Sequence, residues 1–415
     1  MAEAVRIEGG RLLADLHALR NFGRCDPGVV RRSLSEPDRA ARAWLRDRFA
    51  EAGLDARIDG AGNVIGRSPN PGPALLIGSH SDTQPRGGWL DGAMGVIYAL
   101  EIARSLAEDD ATRHLAVDTV AWMDEEGTFL NCLGCHSFMG SLAEGVLARA
   151  ANYDGQTAEE AIRAAGYDTE PPARWEPGRH IGYLEAHIEQ GPYLEEQGNR
   201  IGVVTSIVGR RNVTVTFTGE QNHAGTTPMN RRKDAGMAAI RLGAAIDAAF
   251  RKIAGPATVW TIGDLTMEPG KTTSIVPGRA VMRFQFRDPE AARLDALDAA
   301  FGSLIGAAAA EGPVGISVKR DVSDQAPTVM DAGFQDHIAR AAQAHAPGHW
   351  VQMPSAAGHD AMVVAAHLPA AMLFVPSIGG ISHDFAENTE EDDIVLGCQV
   401  LADAAASILE EAAAH

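Results

Sequence analysis

Two apolar strands joined by an apolar helix constrain this chain more than any other feature. "PALLIGSH" (73–80) and "HLAVDTVAW" (114–122) are runs too continuous to leave a face for solvent, and "DGAMGVIYALEIARSLAE" (91–108) between them reads as a helix. Strands of that kind alternating with helices make a parallel sheet covered on both sides. Upstream, "PDRAARAWLRDRFAEAGL" is a helix with Trp44, Leu45, Phe49 and Ala52 on one face, ending at Gly53. Ligands of such sheets collect at the carboxyl ends of the strands. Here those ends read His80-Ser81-Asp82 and Asp124-Glu125-Glu126.

Three adjacent carboxylates after a buried strand pose a question. They repel one another, and burying one uncompensated charge costs several kcal/mol. Either that strand end faces water or a cation waits there. The bulk properties narrow the field. A formal net charge of -19 argues against nucleic acid or an anionic membrane as partner. The N-terminus "MAEAVRIEGGRLLADLHALRNF" has no apolar core of signal-peptide length, and no later run approaches a membrane span, so a soluble cytoplasmic protein is expected. The 4 cysteines make no disulfide framework. Cys132 and Cys135 form a single CxxC without the second pair a structural zinc site needs, and they read as two buried thiols.

Residues 212–327 follow a different rhythm. "NVTVTFTG" alternates strictly, with Val213, Val215 and Phe217 on one side and Thr214, Thr216 and Thr218 on the other. A helix (232–252), the strands "TVWTIGDL" and "AVMRFQFR", a helix (289–311) and the strand "VGISVKRD" complete the order βαββαβ, a split ferredoxin-like unit. The chain then returns to mixed elements: a helix near 332–345, the strand "AAMLFVP" and a last helix from 391. The expectation is a discontinuous domain, 1–211 and 328–415, with 212–327 inserted.

His80 and Asp82 lie two apart at a strand end and project to the same side. Asp91 follows a glycine-rich turn and opens the next helix. Singly, these read as a turn histidine and an N-cap. Together they suit a metal, with Asp82 able to orient the imidazole from behind. Glu125 and Glu126 point to opposite sides of the chain, so one can bind metal while the other serves as a base. "YLEAHIEQGPYLEEQG" adds His187 where a strand gives way to a helix at Pro192, and "VPSIGGISHDFAE" adds His383 after a glycine turn. A lone histidine of this kind is more often structural. Four such strand-end sites on one sheet change that balance.

At these motifs the chain resembles the N-carbamoyl-L-amino-acid hydrolase and allantoate amidohydrolase branch of the dinuclear-zinc aminoacylase and carboxypeptidase superfamily. The likeness runs nearly end to end, through "DGAGNVIGR", "GSHSDT", "DEEG", "AHIEQG", "NHAGTTPMNRRKDA", "AAGHDAM" and "GISHDFAE". It implies an α/β fold: a mixed, mostly parallel sheet flanked by helices, with the insert as a lid and dimerisation domain. It implies one metal on His80, Asp91 and His187 and another on Asp91, Glu126 and His383, with a water or hydroxide between them. Glu125 would be the general base, Asp82 a supporting residue, and Asp124 a solvated or turn carboxylate. Zinc suits these ligands, and manganese, cobalt and nickel stay open.

The resemblance further makes His223 a stabiliser of the tetrahedral oxyanion, donated into the neighbouring subunit of a homodimer. Arg287 would grip a substrate carboxylate and Gln190 a ureido group. Ser274, Ala357 and Gly358 would complete the substrate pocket. Three positions depart from the family's pattern: Ser274 stands for Asn, Ala356 for Gly and Phe385 for Pro. The reading is a metal-dependent amidohydrolase of N-carbamoyl or related ureido acids, releasing ammonia, carbon dioxide and an amino acid. Allantoate, 3-ureidopropionate and N-acyl amino acids are alternative substrates. A catalytically silent binding or scaffold relative is the alternative of another class, and the intact ligand set with Glu125 counts against it.

Overall fold

The strand Ala74–His80 lies inside a nine-stranded sheet, and every one of its residues is buried. The computed structural model describes residues 5–320 and 324–414. The four strands Ala370–Val375, His180–Ile188, Ala74–His80 and Ala116–Trp122 pair in that order, all parallel. Antiparallel strands flank them: Ile201–Ile207 beside Ala370–Val375, and the hairpin Asp55–Ile58 with Val64–Arg67 beside Ala116–Trp122. The sheet is therefore mixed, as expected, with its parallel pairs in the four central strands. Short connections suffice for a hairpin, whereas each parallel pair needs a crossover.

The crossover helix Ala93–Glu108 is buried from Ala93 to Leu106, because it packs on the sheet below and on the helices Gly9–Arg20 and Glu391–Ala413 above. A helix apolar all round finds no other stable place. The helix Glu36–Glu51 starts at Ser35, whose side chain accepts from Asp38 N. It buries Leu45 and Phe49 as expected, and Ala41 besides, with Trp44 and Ala52 half-buried at the margin. It also buries Arg42 completely. That guanidinium donates to Asp38 Oδ2 (2.8 Å), Gly62 O (3.0 Å) and Trp122 O (3.2 Å). A permanent cation thus holds the end of the strand that delivers the acidic triplet.

The chain divides into two compact units: Met1–Thr205 with Val329–Met353 and Ala357–His415, and Ser206–Thr328 with Pro354–Ala356. The second has a four-stranded antiparallel sheet in the order Val259–Glu268, Arg279–Asp288, Gly209–Thr218, Gly315–Arg320. Helices Ala235–Phe250 and Ala291–Glu311 cover one face. Its core joins Val213, Val215 and Phe217 to Phe284, Phe286, Phe250 and Phe301. Among the described residues, no helix is long and apolar enough to cross a membrane.

Candidate metal centre

Asp91 is the hub of the first unit's strand ends. Its Oδ1 lies 3.0 Å from His187 Nε2 and 3.4 Å from His80 Nε2, and its Oδ2 lies 3.3 Å from His383 Nε2. His383 Nε2 in turn is 3.8 Å from Glu126 Oε2. Two groups result, His80–Asp91–His187 and Asp91–Glu126–His383, and within each the candidate ligand atoms lie within 4.8 Å of one another. Parallel neighbours His80 and Trp122 end the same register, which is why the His80 loop and the acidic triplet meet. Gly92, at φ 64°, lets the next helix begin against the His80 ring: a Cβ there would fall 2.4 Å from His80 Nε2.

The donor set fits divalent cations. His80 Nδ1 is 3.0 Å from Asp82 O and His187 Nδ1 is 2.9 Å from Ile188 O, so each ring donates there and turns the lone pair of Nε2 toward Asp91. His187 Nε2 also accepts from Gly92 N (3.2 Å), whereas the His80 lone pair, facing Asp91 Oδ1 at 3.4 Å, is stable only with a proton or a cation between them. Protonation shows the same demand. Burial opposes a charge on His80 and His187, yet Asp91, joined by Glu125 and Asp82 at His80, raises both. Asp91 pushes His383 up to about 9. Burial would raise Asp91, but the three imidazoles hold it well below the carboxylate range. Among the described residues, buried Glu126 Oε1 and Asp82 Oδ1 have no hydrogen-bond partner.

The acidic triplet divides by environment. Glu125 Oε2 lies 3.8 Å from His80 Nε2, and burial pushes this carboxyl well up, with His80 opposing. Glu126 accepts 2.6 Å from Gln84 Nε2 and rises to about 7 through burial and the nearby Asp91. Asp124 is not solvated. It is fully buried at φ 61° and accepts from the main-chain N–H groups of Thr128, Phe129 and Leu130 (2.7–2.9 Å), so it folds the turn that aims its neighbours. Asp82 also acts differently from the expected imidazole partner: its main-chain oxygen, not its carboxylate (3.8 Å), meets His80 Nδ1. The carboxylate accepts from Ser33 Oγ (2.9 Å) and Glu126 N (3.3 Å).

Gln190, at φ 59°, donates to Asp91 Oδ2 (2.9 Å) and Ser382 Oγ (3.2 Å). Ala357 and Gly358 immediately precede His359, whose ring meets the His187 ring edge-on with centroids 4.6 Å apart. The remaining expected residues belong to the second unit. There His223 pairs in register with Ile275, next to Ser274, whose carbonyl accepts from Ala224 N (2.8 Å). His223 Nδ1 accepts from Gly225 N (3.0 Å) and Thr226 N (3.1 Å), which places the ring proton on the exposed Nε2. Arg287 donates to Gln285 Oε1 (2.8 Å) and Ala356 O (2.9 Å), and these bonds fix the plane of its guanidinium.

The model of peptidase family M20/M25/M40 matches residues 76–407. The chain belongs to that family. It is 33% identical over 404 residues to an N-carbamoyl-L-amino acid amidohydrolase of Geobacillus stearothermophilus, covering 95% of this chain and 97% of that one. It is 34% identical over 397 residues to the allantoate amidohydrolase of Escherichia coli, covering 92% and 94%. A hydantoinase/carbamoylase family amidase from Burkholderia phymatum superposes with a TM-score of 0.93 at 50% identity, covering 99% of this chain and 100% of that one. The chain is an enzyme of the hydrolase class. M20 enzymes depend on metal, and the two groups around Asp91 are this chain's candidate ligands.

Several site neighbours escaped the sequence reading. Glu185, Asp360 and Glu387 are buried acids, and His359 is a buried histidine. Ser79 Oγ (2.7 Å) and Ala361 N (2.9 Å) donate to Glu185. Burial pushes Glu387 to about 7 with Asp91 adding to it, and drives His359 well down with His187 adding to it. No spacing marked Glu387, because it sits in the acidic run "AENTEED", where carboxylates are normally solvated. Cys132 and Cys135 are free and buried, and burial raises both thiols, so neither has the character of a reactive thiolate.

Proposed function

We propose that this M20 enzyme hydrolyses the ureido C–N bond of N-carbamoyl-L-amino acids or closely related ureido acids, with two divalent ions per subunit. The observation that carries it is Asp91, shared between two ligand groups, with the carboxylate of Glu125 alongside. His80, Asp91 and His187 would hold one ion, and Asp91, Glu126 and His383 the other. Imidazole and carboxylate donors suit zinc best, with manganese, cobalt or nickel as substitutes. Bound there, such ions supply Lewis-acid polarisation of a carbonyl and a water acidic enough to react near neutral pH.

The chain's own groups do the rest. Glu125 takes a proton from the attacking water and returns it to the leaving nitrogen. The C–N bond breaks, the amino acid leaves as amine, and carbamic acid falls apart to carbon dioxide and ammonia. His223 Nε2–H donates to the tetrahedral oxyanion in the neighbouring subunit of a homodimer built through the inserted unit (residues 212–327 on the sequence reading). Arg287 takes the substrate carboxylate as a bidentate fork, and Gln190, Ser274, Ala357 and Gly358 contact the remainder. The net charge of -19 and the four free thiols suit a cytoplasmic location.

The amidohydrolase relatives support the class, since N-carbamoyl amino acids and allantoate share a ureido group and a carboxylate. Release of the free amino acid from N-carbamoyl and N-acetyl amino acids, of β-alanine from 3-ureidopropionate and of ammonia from allantoate tests the proposal. At least one ureido acid should turn over, and chelation should stop it. Turnover of N-acetyl amino acids alone would refute the ureido assignment.

A further inference from the structure

Glu387 occupies a place that neither ligation nor catalysis explains. Its side chain is buried, and Oε1 accepts from both Leu90 N (3.2 Å) and Asp91 N (3.0 Å). Oε2 accepts from Ser382 Oγ (2.9 Å). One carboxylate therefore grips the loop that delivers Asp91 and the loop that delivers His383. Ser382 Oγ also lies 3.3 Å from Asp91 Oδ2 and accepts from Gln190 Nε2.

Two further observations give this grip a purpose. His383 sits at φ 54° with half its side chain exposed, so its own packing does little to hold it in place. The room for Glu387 is also reserved by a glycine: a Cβ on Gly88 would fall 1.8 Å from Glu387 Oε1 and 2.0 Å from its Cδ. We infer that Glu387 is a positioning residue that staples the Asp91 loop to the His383 loop, with Gly88 keeping its space open. The staple builds the ligand group Asp91–Glu126–His383, and in that respect it rests on the two-ion reading above.

A carboxylate that only stabilised a loop would lower stability without distinguishing one ion from the other. Calorimetric titration of chelator-stripped protein with zinc separates the cases, with His383→Ala marking which binding class belongs to His383. Glu387→Ala should weaken that class by roughly 10- to 100-fold, the usual range for lost outer-shell contacts, and leave the other class within about threefold. Gly88→Ala, which keeps the carboxylate but displaces it, should reproduce the loss, and Glu387→Gln, which keeps an acceptor for the two N–H groups, should recover part of it. Unchanged binding in both alanine variants, or equal weakening of both classes, overturns the staple.

Wild-type protein that binds fewer than two equivalents refutes the two-ion reading instead. The staple is then judged without metal, by hydrogen exchange of residues 86–94 in the stripped protein. Those amides should exchange at least tenfold faster in Glu387→Ala and Gly88→Ala, and unchanged exchange overturns it.

Discussion

Asp118 offers a stability test at the end of the sheet away from the metal centre. Its carboxylate takes two hydrogen bonds from Arg179 (2.7 Å each), one from Ser68 N (2.8 Å) and a contact with His180 Nε2 (3.2 Å). Both members of the Asp118–Arg179 pair are buried, with side-chain exposures of 3% and 8%. Burial alone would raise this carboxyl, but Arg179, His180 and Ser68 hold it at about 2 instead of 3.8. At about 1.4 kcal/mol per pH unit, that depression corresponds to roughly 2.5 kcal/mol of folding free energy. The folded value lies below the unfolded one, so this contribution is complete above pH 3.8 and disappears as pH falls through about 2. Asp118→Asn should therefore cost about 2–3 kcal/mol at pH 7, or more, because the Arg179 charge stays buried. The assay is urea unfolding of wild type and variant, both metal-stripped so that protonation of the metal ligands cancels. Their difference should be constant from pH 7 to 4 and shrink toward pH 2. Turnover per folded, metal-loaded molecule should be unchanged, since Asp118 lies four residues before Trp122, on the far side from Glu125. A difference below about 0.5 kcal/mol at pH 7, or one that grows as pH falls from 4 to 2, would refute the reasoning.

Other outcomes follow from the proposed site. Glu125→Gln should keep fold and metal content while kcat falls by about 10²- to 10⁴-fold, and retained turnover would remove Glu125 as the base. Arg287→Ala should raise KM for carboxylate-bearing ureido acids far more than for uncharged ureas, and an equal effect on both would refute the fork. His223→Ala and Glu125→Gln, each inactive alone, should on mixing recover about a quarter of wild-type activity, because half the dimers then hold one complete site. No recovery in demonstrably mixed dimers would place His223 in its own subunit's chemistry.

Much of this enzyme can be read from its amino acids in order. Continuous apolar strands cannot face water, so the parallel core of Ala74–His80, Ala116–Trp122 and their neighbours follows from local pattern alone. The chemistry-bearing residues at those strand ends are legible for the same reason: His80, Asp91, Glu125, Glu126 and His187 sit where a parallel sheet leaves its ligand crevice.

Burial of charge is where local reading stopped. Arg42 falls on an amphipathic helix and Glu387 in an acidic run, and by sequence both look solvated. Their fates depend on chain from elsewhere: the carbonyls of Gly62 and Trp122 for Arg42, and the loop of residues 88–91 for Glu387. Periodicity reports which side of an element prefers water. Whether a charged group finds enough partners to leave water depends on segments distant in sequence, and the packing of the folded chain decided that.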